Sequence, residues 1–319
     1  MTSVTTVFFG STNESVLVLE KLLTSHLSRI TVVAVVTQPP RPMSRKQIVS
    51  LTPVETWAKD HGIPTLSFPS HPEKPWLYEN EKTVTGTLQP LQVDLLISAS
   101  YGQKIPWPTI MSTKHGGLNV HPSLLPRWRG ADPVPWAILS GDNQTGVTIV
   151  TLAEHFDEGN IIAQKKIPIL PTDTTTILYP KLFTLGAELL IDVLPDYLSG
   201  KNRGKPQVSS HHTHHTLEVI QLRTSGISSY ARRLTRDDGF EPWKSLQQAM
   251  ETGNDASRID RKFRALDPWP GIWTLLGQKR LKILKLHLRD KNLVIDTVQL
   301  EGKNPIPFSQ FSSVYLLPS

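Results

Sequence analysis

A chain of 319 residues exceeds the usual size of one domain, so two are expected. It has no cysteine, which excludes disulfides, thiolate metal sites and cysteine nucleophiles, and no apolar run approaches the roughly 20 residues of a membrane helix. The net charge of +6 is uneven: residues 1–200 carry −2 and residues 201–319 carry +8, which fits a polyanion-binding module beside a small-molecule catalytic domain, or simply a solubilising surface.

In chain order, residues 5–10 read as a β-rich run ending at a turn glycine, and residues 15–27 as a helix. No G-x-G-x-x-G or G-x-x-x-x-G-K-[ST] follows Gly10, so a dinucleotide or nucleoside triphosphate site has little support. Strands are expected at 30–36, 93–98, 118–121 and 148–152, with a helix at 54–61. Alternating strands and helices, with near-continuous Val/Ile/Leu strands, indicate a doubly wound α/β domain around a parallel sheet. Its ligand belongs at the carboxyl ends of the strands, near the reversal of strand order. Leucines at turn-like spacing predict a long helix over 177–198, stopped at Ser199-Gly200. A polar linker over 201–216 separates this catalytic domain, 1–200, from a C-terminal domain, 217–319. There a helix at 258–266 and strands at 272–276, 281–288, 293–300 and 313–317 suggest a small OB-like β-barrel.

The chemistry concentrates in Asn119, His121 and Asp157. A period of two places Asn119 and His121 on one face of their strand. Taken singly, each has a plain structural reading: a satisfied polar group, a packed imidazole, a turn residue before Glu158-Gly159. Together they are the equipment for attack on a carbonyl: an amide to bond its oxygen, an imidazole to carry a proton, a carboxylate to orient the imidazole. Acyl transfer is expected rather than redox chemistry.

The stretches Val36-Thr37-Gln38-Pro39, Ser98-Ala99-Ser100-Tyr101-Gly102, the run 119–130, Gly141 with Thr145-Gly146-Val147-Thr148, and Asp267-Pro268-Trp269-Pro270 closely resemble the folate-dependent formyltransferases, best those acting on methionyl-tRNA. The resemblance implies 10-formyltetrahydrofolate as formyl donor and the amino group of methionine on initiator tRNA as acceptor, with no metal and no membrane. It implies that Asn119 and His121 bond the developing oxyanion while Asp157 orients His121. It makes Ser123, Leu124, Leu125 and Pro126 a folate-contacting loop and Tyr101-Gly102 another wall of the pocket, with simple packing the alternative for Tyr101. Arg127, Arg129 and Gly130 are left between folate-tail and turn roles.

For tRNA, the resemblance implies a loop entering the acceptor stem, carried here by Arg41, Arg45 and Lys46, and phosphate contacts from Arg232, Arg233, Lys279, Arg280, Lys282 and Lys285. Lys282 and Lys285 have opposite parity, so they share a face only if their strand bulges. Ala153, His155, Pro122 and Pro40-Arg41-Pro42 depart from many bacterial members, and His-Pro-Ser with Phe-Asp-x-Gly resembles the mitochondrial branch. The first strand starts almost at residue 1 without a recognisable leader, so a matrix location implies a trimmed or missing one, and a bacterial cytosolic enzyme is the alternative. A monomer is expected. His211-His212-Thr213-His214-His215 reads as a spectator rather than a metal site. Rival functions are formyl transfer to an amino sugar nucleotide or purine precursor, formate release from the same folate, and a noncatalytic RNA-binding relative.

Overall fold

The computed structural model describes residues 3–25, 29–43, 48–207 and 229–315. The chain divides into two compact units. One comprises Met1–Ala131, Gln144–Ile167 and Tyr179–Ala231, and the other Asp132–Asn143, Pro168–Leu178 and Arg232–Ser319.

In chain order the elements begin β1 (Val4–Phe9), α1 (Asn13–Thr24), β2 (Ile30–Thr37), β3 (Arg41–Met43), β4 (Ile48–Ser50), α2 (Pro53–Asp60), β5 (Thr65–Ser67) and α3 (Glu81–Leu88). They continue with β6 (Leu95–Ala99), α4 (Trp107–Met111), β7 (Gly117–His121), β8 (Arg129–Gly130), α5 (Pro133–Leu139), β9 (Gln144–Thr151), β10 (Ile161–Pro168), α6 (Thr175–Leu198) and β11 (Tyr230–Ala231).

Seven of these strands form one sheet in the order β10-β9-β7-β6-β1-β2-β5. Because successive side chains point to opposite faces, β1 feeds two cores. Phe8 packs with Leu19, Val35, Val54 and Phe183 on one side, while Val7 and Phe9 pack with Val36, Val84 and Ile110 on the other. Apolar residues on both faces explain the continuous hydrophobic strands seen in the sequence. The expected all-parallel sheet needs one correction: β9 runs antiparallel to β7, with His121 opposite Thr148. Strand direction leaves no mark on a run such as Val147–Leu152, since either direction buries the same residues.

The order reverses between β1 and β6, which are neighbours although the chain first turns to β2 and β5. The carboxyl ends beside that switch point are fixed by short hydroxyl bonds. Ser15 Oγ donates to the Ala99 carbonyl at 2.6 Å, Ser11 Oγ donates to the Tyr101 carbonyl at 3.1 Å, and Thr12 caps α1. The packing at this end leaves no room for a side chain on Gly10, whose Cβ would fall 2.6 Å from that of Ser15.

The second unit adds α7 (Trp243–Glu251), α8 (Ala256–Ala265), β12 (Ile272–Leu276), β13 (Lys279–Arg289), β14 (Asn292–Leu300), β15 (Ile306–Pro307) and α9 (Phe308–Tyr315). The small C-terminal β domain takes the form of a four-stranded antiparallel sheet, β12-β13-β14-β15, with Leu246, Ile259 and Phe311 of the three helices in its core. A strand expected at 313–317 is replaced by α9 over the described part of that range. Phe308, Phe311 and Tyr315 fall three and four apart and stack ring on ring, with Phe311 fully buried, a helical spacing that overrides the local β preference.

Glu241 joins this unit's elements. It is 2% exposed and accepts from Arg258 through both carboxylate oxygens and from Lys262 Nζ at 2.9 Å. Burial pushes its carboxyl up, but the Arg258 hydrogen bond and the Lys262 charge outweigh that and hold it below the ordinary glutamate range. A depressed folded-state value stabilises the fold above the unfolded pKa of about 4.3, and the contribution is lost as pH falls through the folded value. Glu241→Gln should therefore lower the thermal midpoint at neutral pH, by the equivalent of about 2 kcal/mol or more for a broken buried pair. The difference from wild type should close below about pH 4. A pH-independent difference in calorimetric midpoints would show that the carboxylate charge is not what matters.

Candidate active site

The site is assembled at the end of β7. Asn119 and His121 lie on the same face of this strand, as the period of two requires, with Asn119 half-buried and His121 4% exposed. Between β9 and β10 the chain turns through Phe156-Asp157-Glu158-Gly159, bringing the Asp157 carboxylate to both. Asn119 Nδ2 donates to Asp157 Oδ1 at 3.2 Å, and His121 Nδ1 lies 3.3 Å from the same oxygen. The other oxygen, Oδ2, accepts from the Gly130 backbone N–H at 3.0 Å. His121 Nε2 meets the Trp128 carbonyl at 2.9 Å; since a carbonyl only accepts, Nε2 carries a hydrogen and donates.

The turn that aims Asp157 is backbone-determined. Asp157 has φ +57, in the left-handed region where Asp is among the tolerated residues. Gly159 is obligatory, because a Cβ there would fall 1.9 Å from the Thr151 carbonyl oxygen.

The Ser123-Leu124-Leu125-Pro126 loop divides its labour. Ser123 is fully buried and donates Oγ–H to the Arg127 carbonyl at 2.8 Å, and Leu125 is buried too. Thr148 Oγ1 donates to the Ser123 carbonyl at 2.6 Å and accepts from Leu125 N–H at 3.1 Å, so β9 holds the loop. Leu124 and Pro126 are half-buried and are the two that offer apolar surface. Tyr101 is buried with its hydroxyl bonded to Tyr78 at 2.8 Å and to Gln103 at 3.1 Å, and burial pushes both phenols well above the usual tyrosine value. The Tyr101 ring packs in the core edge-on to Phe9, while Gly102 is exposed at φ +86 with the Gln38 amide against the position a Cβ would take.

Arg41 lies in β3, which pairs antiparallel with β4; Arg45 and Lys46 lie outside the described residues, as do His211-His212-Thr213-His214-His215 and residues 208–216 of the expected linker. His155 is exposed. Among the described residues, no group of three His, Cys, Asp or Glu could hold a metal ion, and no helix is long and apolar enough to cross a membrane.

In the second unit, Lys279, Lys282, Lys285 and Arg233 are exposed, whereas Arg232 is paired with Asp238 and Arg280 lies over the Trp273 ring at 4.3 Å. The bulge needed for Lys282 and Lys285 is present. Leu284 is the extra residue, so Lys282 opposes Gln299 and Lys285 opposes Thr297, two residues of equal parity on β14. The two lysines share the solvent face.

Two residues of the site escaped the sequence. Gln207, inside the expected linker, donates through Nε2 to the carbonyls of Asp157 at 2.7 Å and Gly159 at 2.8 Å, and its Oε1 accepts from Arg129 Nη2 at 2.7 Å. Arg129 also faces Glu158 at 3.6 Å. Ser229 Oγ accepts from Trp128 N–H at 3.1 Å, fixing the residue whose carbonyl holds His121. Both residues sit in polar, turn-rich sequence with no periodicity to mark them.

A half-buried amide with a buried imidazole and carboxylate, at the carboxyl end of a central strand one strand from the switch point, suits an α/β enzyme for acyl transfer. Residues 4–194 match the family model described as formyl transferase, and residues 253–292 match the formyl transferase C-terminal domain. The chain belongs to the formyl transferase family and is a formyl-transferring enzyme. It is 37% identical over 288 residues to the methionyl-tRNA formyltransferase of Listeria monocytogenes, covering 89% of this chain and 79% of that one. The methionyl-tRNA formyltransferase of Myxococcus xanthus is 35% identical over 275 residues, 86% and 78% of the two chains. In fold it is similar to an N-formyltransferase from Helicobacter canadensis in complex with folinic acid and dTDP-3-aminofucose, with a TM-score of 0.55 at 16% identity over 92% and 95%.

Since Gln207 holds the backbone on both sides of Glu158, Gln207→Ala should lower kcat for formyl transfer by roughly 10-fold through misplacement of Asp157. The donor KM should stay within about twofold, as expected when an interaction of the chemical step alone is lost. An unchanged kcat in steady-state assays would leave Gln207 without a catalytic role.

Proposed function

We propose that this enzyme transfers the formyl group of 10-formyltetrahydrofolate to the α-amino group of methionine esterified to initiator tRNA. The observation that carries this reading is the Asn119–His121–Asp157 cluster on a chain that is 37% identical to a methionyl-tRNA formyltransferase over most of its length.

The loop fits a reduced folate: Leu124 and Pro126 offer apolar surface against a ring. When bound, the donor supplies an activated formyl carbon. Asn119 gives one amide hydrogen to Asp157 and keeps the second for the formyl oxygen. His121 is flanked by two acceptors, the Asp157 carboxylate and the neutral Trp128 carbonyl. Nε2 holds the Trp128 carbonyl at 2.9 Å and Nδ1 lies 3.3 Å from Asp157 Oδ1, so for Nε2 to serve the reacting atoms the ring exchanges the Trp128 carbonyl for them while Asp157 stays on its other edge. Its hydrogen then meets the negative charge as the amine attacks.

The acceptor assignment draws on the exposed lysines of β13 and on the resemblance of Arg41, Arg45 and Lys46 to an acceptor-stem loop. The mitochondrial matrix is the compartment we assign, on the His-Pro-Ser and Phe-Asp-x-Gly resemblance; the relatives named above are bacterial. Co-fractionation with matrix markers supports it, and a cytosolic distribution overturns it.

Labelled formyl should pass from 10-formyltetrahydrofolate to initiator methionyl-tRNA, but not to uncharged tRNA or free methionine. Asn119→Ala and His121→Ala should each cost about 10²–10³ in rate, as loss of one oxyanion donor does. Transfer to free amino acids, or formate release without tRNA, would refute the acceptor. Arg45→Ala should raise the KM for charged tRNA more than that for folate; equal effects would make Arg45 structural. Lys282→Ala with Lys285→Ala should reduce the salt dependence of tRNA binding by a slope of roughly 2, and an unchanged slope would exclude phosphate contacts there.

A further inference from the structure

Tyr230 occupies a position the reading above does not use. With Ala231 it forms β11, which runs parallel to β8 and pairs Tyr230 with Arg129 and Ala231 with Gly130. The tyrosine ring packs on the Gly130 backbone, where a Cβ would fall 2.8 Å from Cε2 and 3.1 Å from Cζ. Gly130 is the residue whose N–H donates to Asp157 Oδ2 at 3.0 Å. The aromatic ring therefore stands one residue away from the catalytic carboxylate. Partial burial and, after it, the Asp157 charge raise the phenol's pKa, as expected for a ring in that place.

The ring serves no core: Tyr230 is 66% exposed, and its hydroxyl makes no hydrogen bond among the described residues. An open ring fixed beside reacting atoms is suited to a planar group carried by the substrate. In an aminoacylated tRNA only an ester and a ribose separate the amine from the 3′-terminal nucleobase. With the amine at Asn119 and His121, that base falls in the immediate surroundings of the cluster. Aromatic rings stack on any base without needing hydrogen bonds.

We propose that Tyr230 is the platform on which the 3′-terminal nucleobase of the aminoacylated tRNA stacks, setting the ester-linked methionine against Asn119 and His121. The assignment deepens the acceptor reading given above and rests on it. Gly130 is part of the same device, because a side chain there would displace the ring.

The test is steady-state formyl transfer by Tyr230→Ala and Tyr230→Phe, with thermal midpoints recorded for both. Tyr230→Ala should raise the KM for methionyl-tRNA by roughly 10–100-fold, the effect of removing one stacked base, while the KM for 10-formyltetrahydrofolate holds. Tyr230→Phe keeps the ring and should stay within about twofold of wild type. Inhibition by 3′-deoxy-3′-(methionylamino)adenosine should weaken in the alanine variant by the same factor, and inhibition by methioninamide should not. An unchanged tRNA KM in Tyr230→Ala overturns the proposal. So does a phenylalanine variant as impaired as the alanine one, or equal loss with methioninamide, which would place the amino acid on the ring instead. Absence of transfer by the wild-type enzyme would overturn the acceptor assignment and the platform with it, whereas wild-type transfer with an indifferent Tyr230→Ala overturns the platform alone.

Discussion

The structure of the site depends on where one carboxylate is held. Asp157 receives an amide hydrogen from Asn119, faces His121 Nδ1 and receives the Gly130 N–H. It thereby joins the end of β7, the β9–β10 turn and β8. Each partner gains a fixed acceptor from it: the Asn119 amide, the His121 edge opposite the one on the Trp128 carbonyl, and the N–H of Gly130, whose φ of +110 a glycine adopts readily. The cost of placing the carboxylate is met by its own backbone. A left-handed Asp157, a glycine two residues on and the Gln207 amide bonding both carbonyls turn a flexible surface loop into a fixed one.

The remainder of the first unit delivers β7 to that carboxylate. Val120, between the two functional side chains, points into the core packed by α6, so strand alternation sends Asn119 and His121 the other way. The loop after His121 is tied to β9 through Thr148 Oγ1, and Gln164 donates to both Thr148 Oγ1 and the Leu125 carbonyl. Folding and function meet here, because the same hydrogen bonds that satisfy buried loop backbone also fix the apolar surface offered by Leu124 and Pro126.

What could be read in advance followed from periodicity and from short motifs. The β1, β2 and β6 runs, the α6 stripe and the shared face of Asn119 and His121 all follow from which side chains must leave water. Asp157 was reachable only through its motif, since nothing local marks an Asp before Glu-Gly as buried. Three features had no such signal. The direction of β9 is invisible because a strand buried on both faces reads alike in either sense. The helix at 308–315 depends on aromatic stacking into a core made by other segments. Gln207, Ser229 and Tyr230 act through contacts with residues 48 to 101 positions away, which no window of sequence contains. In β13 the signal was conditional: opposite parity at Lys282 and Lys285 required a bulge, and the register shift at Leu284 supplies it.

The most direct measurement is the single-turnover rate of formyl transfer by Asp157→Asn. The substitution keeps shape and volume but replaces one acceptor oxygen with an N–H₂, which would face donors now satisfied by the carboxylate. If the carboxylate organises Asn119, His121 and Gly130 together, the rate should fall by roughly 10³-fold or more while the fold melts within a few degrees of wild type. A rate within about tenfold of wild type would contradict it, and would mean that Asn119 and His121 find their catalytic positions without Asp157.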